Sequence, residues 1–235
     1  MSEEAVERPC AEIGAEIGAE TAVEMSLEGI YHWLTFLPSK VRADRPAATS
    51  YFGLFTDGTL KLRNLACRRR DTPEFIRRVQ VELLEVISQG RTLNERLALE
   101  AKAVTLLQER IGQLMRGEVA ADELALNRRL TRDLEAYRVQ TRAATTAKQL
   151  SQAGVKLHPG ERVRYVITNA QGKSPGSRVR ESEVAPGSSY DIEEYVKFLK
   201  LAAGEVLNSF RRPLPSGDGQ ADRWLPFGVE GLGGA

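Results

Sequence analysis

Short runs of apolar residues near the start of the chain predict β-strands. The runs are Ile30–Leu37, Tyr51–Phe55 and Thr59–Leu65, and the last two flank Asp57 and Gly58. An Asp-Gly pair between two such runs is the strongest local signal for a tight β-hairpin. We therefore expect a small antiparallel sheet in this part of the chain.

Apolar residues at helical spacing dominate the middle of the chain. One stripe, Phe75–Ile87, precedes Gly90, where a helix would end. Thr92 and Glu95 have the spacing of a capping box and precede a second apolar stripe, which stops near Gly117. The pattern predicts two antiparallel helices that bury their stripes against each other.

The remaining pattern alternates between turn residues and short elements. After a link at Ala120–Leu130 it predicts a third helix at Thr141–Ala153 and a strand at Arg162–Thr168. A loop at Gln171–Ser189 then leads to a last helix, which Asp191 caps. These elements together predict an α+β fold.

The two ends of the chain have unusual compositions. Residues 1–24 are acidic and low in complexity, with the repeat EIGAEIGAE, so we expect a fraying helix or a disordered lead. The tail at 211–235 is rich in Pro and Gly and is expected to be flexible, with Trp224–Val229 as a candidate docking segment.

Composition narrows the class of protein. The 235 residues are 42% hydrophobic and 28% charged, which is typical of a globular protein with a sizeable core. No apolar run has the length of a membrane span. The only cysteines, Cys10 and Cys67, give neither a disulfide framework nor zinc-ligand spacing. We expect an intracellular, cytoplasmic protein without a membrane partner.

Charge is segregated along the chain although the net charge is only +1. Residues 1–30 carry eight glutamates against one arginine, whereas residues 61–80 carry seven cations against two acids. Residues 127–148 carry six cations against two acids, a pattern that by itself is more typical of a solvated helix face. Local cation arrays, and not the net charge, govern phosphate binding.

Three consecutive arginines, Arg68, Arg69 and Arg70, follow the predicted hairpin. They precede Asp71-Thr72-Pro73, which has the pattern of a helix start. Strand, turn and helix start therefore all present positive charge, which favours nucleic acid as the ligand of this segment.

The same segments, in order, resemble family B DNA polymerases, and the run RRRDTPEF is most similar to the archaeal-like subgroup. Ser50–Phe75 resembles the hairpin and Arg-Arg-Asp segment that lead from palm to thumb, and Leu27–Lys40 resembles the preceding palm strand. Leu130–Leu150 resembles the thumb, whereas Pro159–Ile167 and Tyr190–Leu207 resemble its closing strand and last helix.

The resemblance implies a division of the chain into four parts. These are an acidic lead at 1–24, a palm-like β segment at 25–71, a thumb-like helical domain at 72–210 and a tail at 211–235. The fold would then be α+β, with a small antiparallel palm sheet followed by a mainly helical thumb that contains a short strand and a final helix.

By the same resemblance, ten residues match positions that contact primer–template duplex DNA. They are Tyr51, Lys61, Arg63, Arg68, Arg69, Arg70, Arg132, Tyr137, Arg142 and Lys148. Such contacts would go largely to the DNA backbone and would not read its sequence. Asp71 would hold one of the arginines or cap the helix, and the alternative that Arg70–Asp71 is purely a hinge stays open.

The chain departs from the family pattern at several positions. Thr49 stands where a lysine is common, Asn64 replaces the usual glycine and Ala66 the usual glutamate. More importantly, the family's catalytic Asp-Thr-Asp strand has no counterpart, because the chain contains no Asp-x-Asp. We therefore assign no catalytic or metal residue and expect Mg²⁺ only in the complete polymerase, since phosphoryl transfer needs metal-holding carboxylates.

The leading hypothesis is a palm-and-thumb portion that supports DNA replication or repair synthesis. It would be nucleoid-associated and would act with a larger polypeptide bearing the exonuclease, fingers and catalytic aspartates. Two alternatives stay open: a stand-alone duplex-DNA-binding accessory module and a decayed polymerase fragment. A generic helical interaction protein would explain the helices, but it would not explain the hairpin or the three consecutive arginines Arg68–Arg70, which we call the arginine block.

Overall fold

The computed structural model describes residues 4–39, 45–181 and 189–210. Within these ranges the chain has six α-helices and two three-stranded antiparallel sheets. The α+β class predicted from the sequence is confirmed.

The first sheet contains the predicted hairpin. Its strands are β1 (Tyr31–Pro38), β2 (Pro46–Phe55) and β3 (Leu60–Arg63), in the order β1-β2-β3. At the turn Gly58 adopts a φ of +86°, a left-handed conformation that favours glycine. The next backbone N–H donates to Asp57 Oδ1 at 2.7 Å, which closes the turn.

The two long central helices form the predicted pair. They are α2 (Glu74–Ser88) and α3 (Leu93–Met115), which pack against each other across a short connection. Thr92 and Glu95 form the predicted capping box, in which the Glu95 N–H donates to Thr92 Oγ1 at 3.3 Å. This cap fixes the point where α3 begins.

The second sheet was only partly predicted. It consists of β4 (Leu126–Arg129), β5 (Arg162–Ile167) and β6 (Val179–Glu181), in the order β4-β5-β6. Only β5 was expected, because β4 lies in the predicted link Ala120–Leu130 and β6 in the predicted loop Gln171–Ser189. Both strands are short and largely polar, so they lack the apolar alternation that marks a strand. They form because their backbones pair with β5.

The other helices are α1 (Glu4–Thr21), α4 (Arg142–Gln152), α5 (Pro175–Arg178) and α6 (Ile192–Leu207). Of the two expectations for the acidic lead, the described residues adopt the helical one. Asp191 caps α6 as predicted, accepting from the Glu194 N–H at 3.0 Å. The tail, including Trp224–Val229, lies outside the described residues.

One hydrophobic core joins both sheets to helices α2, α3, α4 and α6. Its largest fully buried side chains include Phe52 of β2, Phe75 and Leu83 of α2, Leu107 of α3 and Tyr195 of α6. Because β2 and α2 both pack into this core, the segment between them is held at both ends. That segment contains the arginine block.

Candidate nucleic-acid interface

Three of the predicted contact residues share one face of the first sheet. Tyr51 lies directly opposite Arg63, and Gly53 opposite Lys61, so these side chains point the same way. Arg63 is exposed, whereas Lys61 forms an ion pair with Glu28. The sheet therefore brings Tyr51, Lys61 and Arg63 together, as a nucleic-acid surface requires.

Aromatic rings extend this face beyond the predicted residues. The Tyr51 ring lies 5.6 Å from that of Phe36, which is 42% exposed on the edge strand β1. Tyr31, also on β1, lies over Gly53 and 4.4 Å from the ring of Phe55. Burial, followed by the neighbouring Tyr51, raises the pKa of Tyr31. The sequence analysis did not single out Tyr31 or Phe36, although both lie in the predicted strand.

The chain leaves the hairpin through a left-handed residue. Asn64 has a φ of +57°, and its side chain donates to Ser50 Oγ at 2.8 Å. Asparagine tolerates this conformation better than most residues, which suits it to this exit from the hairpin. A 3₁₀ turn, Ala66–Arg68, follows directly.

The three arginines of the block have different environments. Arg68 and Arg70 are exposed, and within the described part of the chain neither forms an ion pair. Arg69 instead pairs with Glu205 of α6. Two arginines of the block therefore face solvent, whereas Arg69 forms an ion pair within the protein.

A partly buried polar network fixes the turn at the start of the arginine block. Glu205 accepts hydrogen bonds from the Ala66 N–H at 2.7 Å and from Gln80 Nε2 at 2.9 Å, in addition to its contact with Arg69. Gln80 is fully buried and accepts from the Cys67 N–H at 2.6 Å. Since a buried polar group is costly to leave unpaired, the network holds the turn in one conformation.

Sequence reasoning missed Gln80 and Glu205. Gln80 was detectable as a polar side chain next to the apolar stripe of α2, between Val79 and Leu83. No local signal distinguishes Glu205, because its partners lie 125 to 139 residues away.

Asp71 does not cap α2. Pro73 occupies the N-cap position and no side chain caps the helix, whereas Asp71 Oδ2 lies 2.5 Å from Arg128 Nη1 on β4. Asp71 thus holds an arginine, but one from the second sheet and not from the block. The helix-cap alternative is wrong because the carboxylate points to β4.

The charge of Arg128 also acts on Tyr165, which is buried on β5. The pKa of Tyr165 is raised, mainly by burial, although Arg128 and Arg142 both act to lower it. Arg142, at the start of α4, forms an ion pair with Glu194 of α6 at 2.8 Å. Arg142 is therefore engaged in joining two helices.

The remaining predicted contacts lie in and after the loop between β4 and α4. Arg132 and Lys148 are exposed and form no ion pair within the described ranges. The Tyr137 hydroxyl accepts the Thr131 N–H at 2.9 Å, and hydrogen bonds to this loop lower its pKa. The structure thus leaves Arg132 and Lys148 available and ties Tyr137 to its own loop.

Two further features bear on function. Across residues 4–39, 45–181 and 189–210, no group of three or more His, Cys, Asp or Glu side chains could hold a metal ion. In the same part of the chain, no helix has the length and apolarity needed to cross a membrane.

Comparison with known proteins identifies relatives for most of the chain. The sequence profile described as DNA polymerase family B matches residues 19–211. The DNA polymerase of Desulfurococcus sp. (strain Tok) is 27% identical over 190 residues, which are 80% of this chain and 22% of that protein. DNA polymerase 1 of Saccharolobus solfataricus is 26% identical over 163 residues, or 68% of this chain and 18% of that protein.

A solved structure shares the fold. The family B DNA polymerase from the hyperthermophilic archaeon Pyrobaculum calidifontis matches with a TM-score of 0.60 at 21% identity, over 88% of this chain and 25% of that chain. The chain spans roughly a fifth of the length of the two curated relatives.

Proposed function

Because this chain belongs to DNA polymerase family B, we propose that it is a palm-and-thumb portion that grips primer–template duplex DNA. It supports DNA synthesis together with a larger polypeptide that carries the catalytic aspartates. The observation that carries this proposal is the arginine block. Arg68 and Arg70 are exposed and without an ion pair among the described residues, next to a turn whose backbone N–H groups are hydrogen-bonded to Glu205 and to the buried Gln80.

The proposed grip is electrostatic and independent of sequence. Exposed Arg63, Arg68, Arg70, Arg132 and Lys148 contact phosphates, while half-buried Tyr51 packs beside the backbone. Arg69, Lys61 and Arg142 already neutralise a carboxylate in the free protein, so they contribute less to binding than the exposed cations. Their role is to position the surface.

Chemistry is assigned to the partner polypeptide. Family B polymerases use Mg²⁺, which acts where carboxylates hold it against the reacting phosphate. Among the described residues, no group of three or more His, Cys, Asp or Glu side chains could hold a metal ion. We therefore propose that this chain aligns the duplex and that the partner holds the metal.

The outer edge of β1 favours a partner. Within the described residues β1 pairs only with β2, and Leu34 and Phe36, on the face shared with Tyr51, are 38% and 42% exposed. An unpaired strand edge with exposed apolar side chains favours pairing with another strand. We propose that this edge receives a strand of the larger polypeptide.

Reconstitution tests the proposal. The purified chain should incorporate no nucleotide alone, and should restore incorporation when mixed with the polypeptide of the same organism that carries the Asp-Thr-Asp strand. Binding to duplex DNA without restoration of synthesis would instead favour the stand-alone accessory module, which the exposed arginines also fit.

Duplex binding is measured in parallel. Arg68→Ala/Arg70→Ala should lower the slope of log K against log salt by about 2, because each phosphate contact contributes about 0.9. Lys102→Ala/Lys197→Ala is the matched control, since it removes two exposed cations from α3 and α6. Equal slopes for the two double variants would contradict the assigned surface.

A further inference from the structure

Four arginines share one face of the second sheet. Strand register places Arg129 directly opposite Arg162 and Asn127 opposite Arg164, while Arg180 lies opposite Val166. Because directly opposed residues and alternate residues of a strand point to the same face, these four arginines all project from one side. All four are exposed, and we call them the sheet arginines.

The sheet arginines have no anionic partner in the described part of the chain. Arg129 Nε donates to the Gly160 carbonyl at 3.1 Å, and Arg162 Nη1 donates to Asn127 Oδ1 at 3.2 Å. Arg164 Nη2 reaches only the Asp122 backbone carbonyl, at 3.4 Å. Their charge is therefore not neutralised by a carboxylate, in contrast to that of Arg69 or Arg142.

Such an arrangement is unfavourable for the free protein. Like charges directly opposite each other across a strand pair destabilise a sheet, and Arg129 and Arg162 are such a pair. A solvated face that serves only solubility would interleave the two signs of charge. A bound polyanion removes this repulsion.

The face is suited to a phosphate backbone and not to unpaired bases. Binding of single strands uses aromatic side chains on which bases stack, but the positions of this face hold Asn, Val and Arg only. Tyr165, the one aromatic residue of β5, is buried and belongs to the opposite face, because it pairs with Leu126 and Glu181.

The sheet arginines are distinct from the interface described above. Arg128, the neighbour of Arg129 on β4, projects from the opposite face of the sheet, where it pairs with Asp71 at the end of the arginine block. We propose that the sheet arginines form a second contact surface for the backbone of duplex DNA, separate from the arginine block. This inference rests on the proposed function, since it adds a second surface for the same ligand.

The test compares Arg162→Gln/Arg164→Gln/Arg180→Gln with the wild type in salt titrations of binding to a long duplex. Loss of three phosphate contacts lowers the magnitude of the slope of log K against log salt by about 2.7. Between 50 and 200 mM salt the wild type should therefore lose about 40-fold more affinity than the variant. The corresponding triple lysine variant keeps the charges and should keep the wild-type slope.

Protection of arginines in the wild type tests the surface without any substitution. Duplex DNA should shield Arg162, Arg164 and Arg180 from phenylglyoxal, measured by mass spectrometry, even if the glutamine variant does not fold. A wild-type slope in the glutamine variant, or full modification of these arginines in the complex, would overturn the inference.

The outcomes separate this inference from the proposed function. If the Arg68→Ala/Arg70→Ala variant loses slope and the sheet variant does not, only the second surface is refuted. If the wild type binds no duplex DNA, both fail. Protection of the sheet arginines by poly-glutamate but not by duplex DNA would indicate an acidic protein partner and would also refute the inference.

Discussion

Asp71 and Arg128 form an ion pair that joins the segment entering α2 to the first strand of the second sheet, with 2.5 Å between Oδ2 and Nη1. The two residues are far apart in sequence and belong to the parts that the resemblance assigns to palm and thumb. Their side chains are 35% and 51% exposed, so solvent screens the pair. Its role is therefore orientation more than stability.

A double-mutant cycle should measure this pair as a weak coupling. Asp71→Asn, Arg128→Gln and the double variant are expected to give an interaction free energy of about 0.2–1 kcal/mol in urea denaturation, as is usual for exposed pairs. The coupling should fall further at high salt. A coupling of several kcal/mol would mean that the pair is far less solvated than its exposure indicates.

Glu205 should matter far more to the free energy of unfolding. Glu205→Ala removes the acceptor for the Ala66 N–H, for Gln80 and for Arg69, and we expect a loss of about 1–3 kcal/mol in urea denaturation. Glu193→Ala, an exposed residue on the same helix, is the matched control and should change stability by less than about 0.5 kcal/mol. Similar effects of the two variants would contradict the network.

Gly53 is required by close packing within the first sheet. A Cβ atom there would lie 2.6 Å from the Trp33 carbonyl oxygen and 2.9 Å from the Tyr31 ring. Gly53→Ala should therefore destabilise the protein by about 1–3 kcal/mol in thermal or urea unfolding. In the control Gly176→Ala, the added methyl group meets nothing within 4 Å and should have little effect.

The strands and helices with a strong local pattern could be predicted from the sequence, whereas elements that depend on distant partners could not. The Asp57–Gly58 hairpin and the Thr92–Glu95 capping box follow from local rules. β4 has one apolar residue in four and forms by pairing with β5.

The same division applies to the candidate site. The sequence located the arginine block, but the inward direction of Arg69 depends on Glu205, and no pattern near Arg69 could reveal a helix at the other end of the chain. The sequence likewise does not predict that the sheet arginines share one face. Their alignment depends on the register of β4 and β6 with β5, and neither β4 nor β6 has a strand-like sequence pattern.

Tyr195 connects α6 to the second sheet through a buried hydrogen bond. It is fully buried, and its hydroxyl accepts the Ile167 N–H at 2.9 Å. Tyr195→Phe leaves this N–H unpaired in the core and should cost about 1–3 kcal/mol in urea denaturation at neutral pH. Tyr190→Phe offers a comparison, since its hydroxyl bonds the Leu114 carbonyl at a less buried position.

Alkaline pH should weaken the fold through the same residue. Burial raises the pKa of Tyr195 above that of an unfolded tyrosine, so the unfolded chain loses its proton first. The stabilisation is complete below the unfolded pKa of about 10 and declines as the pH rises beyond it. Between about pH 8 and about pH 11 the wild type should therefore lose more free energy of unfolding than Tyr195→Phe; equal losses would contradict the shift.

The contact between Ala66 and Glu205 spans 139 residues of sequence. During translation the turn after the hairpin therefore emerges from the ribosome long before the carboxylate that locks it. Contacts of such long range form late in folding. The arginine turn thus acquires its final shape only once α6 has been synthesised, so a nascent chain that stops before α6 would carry the arginines without the geometry they need.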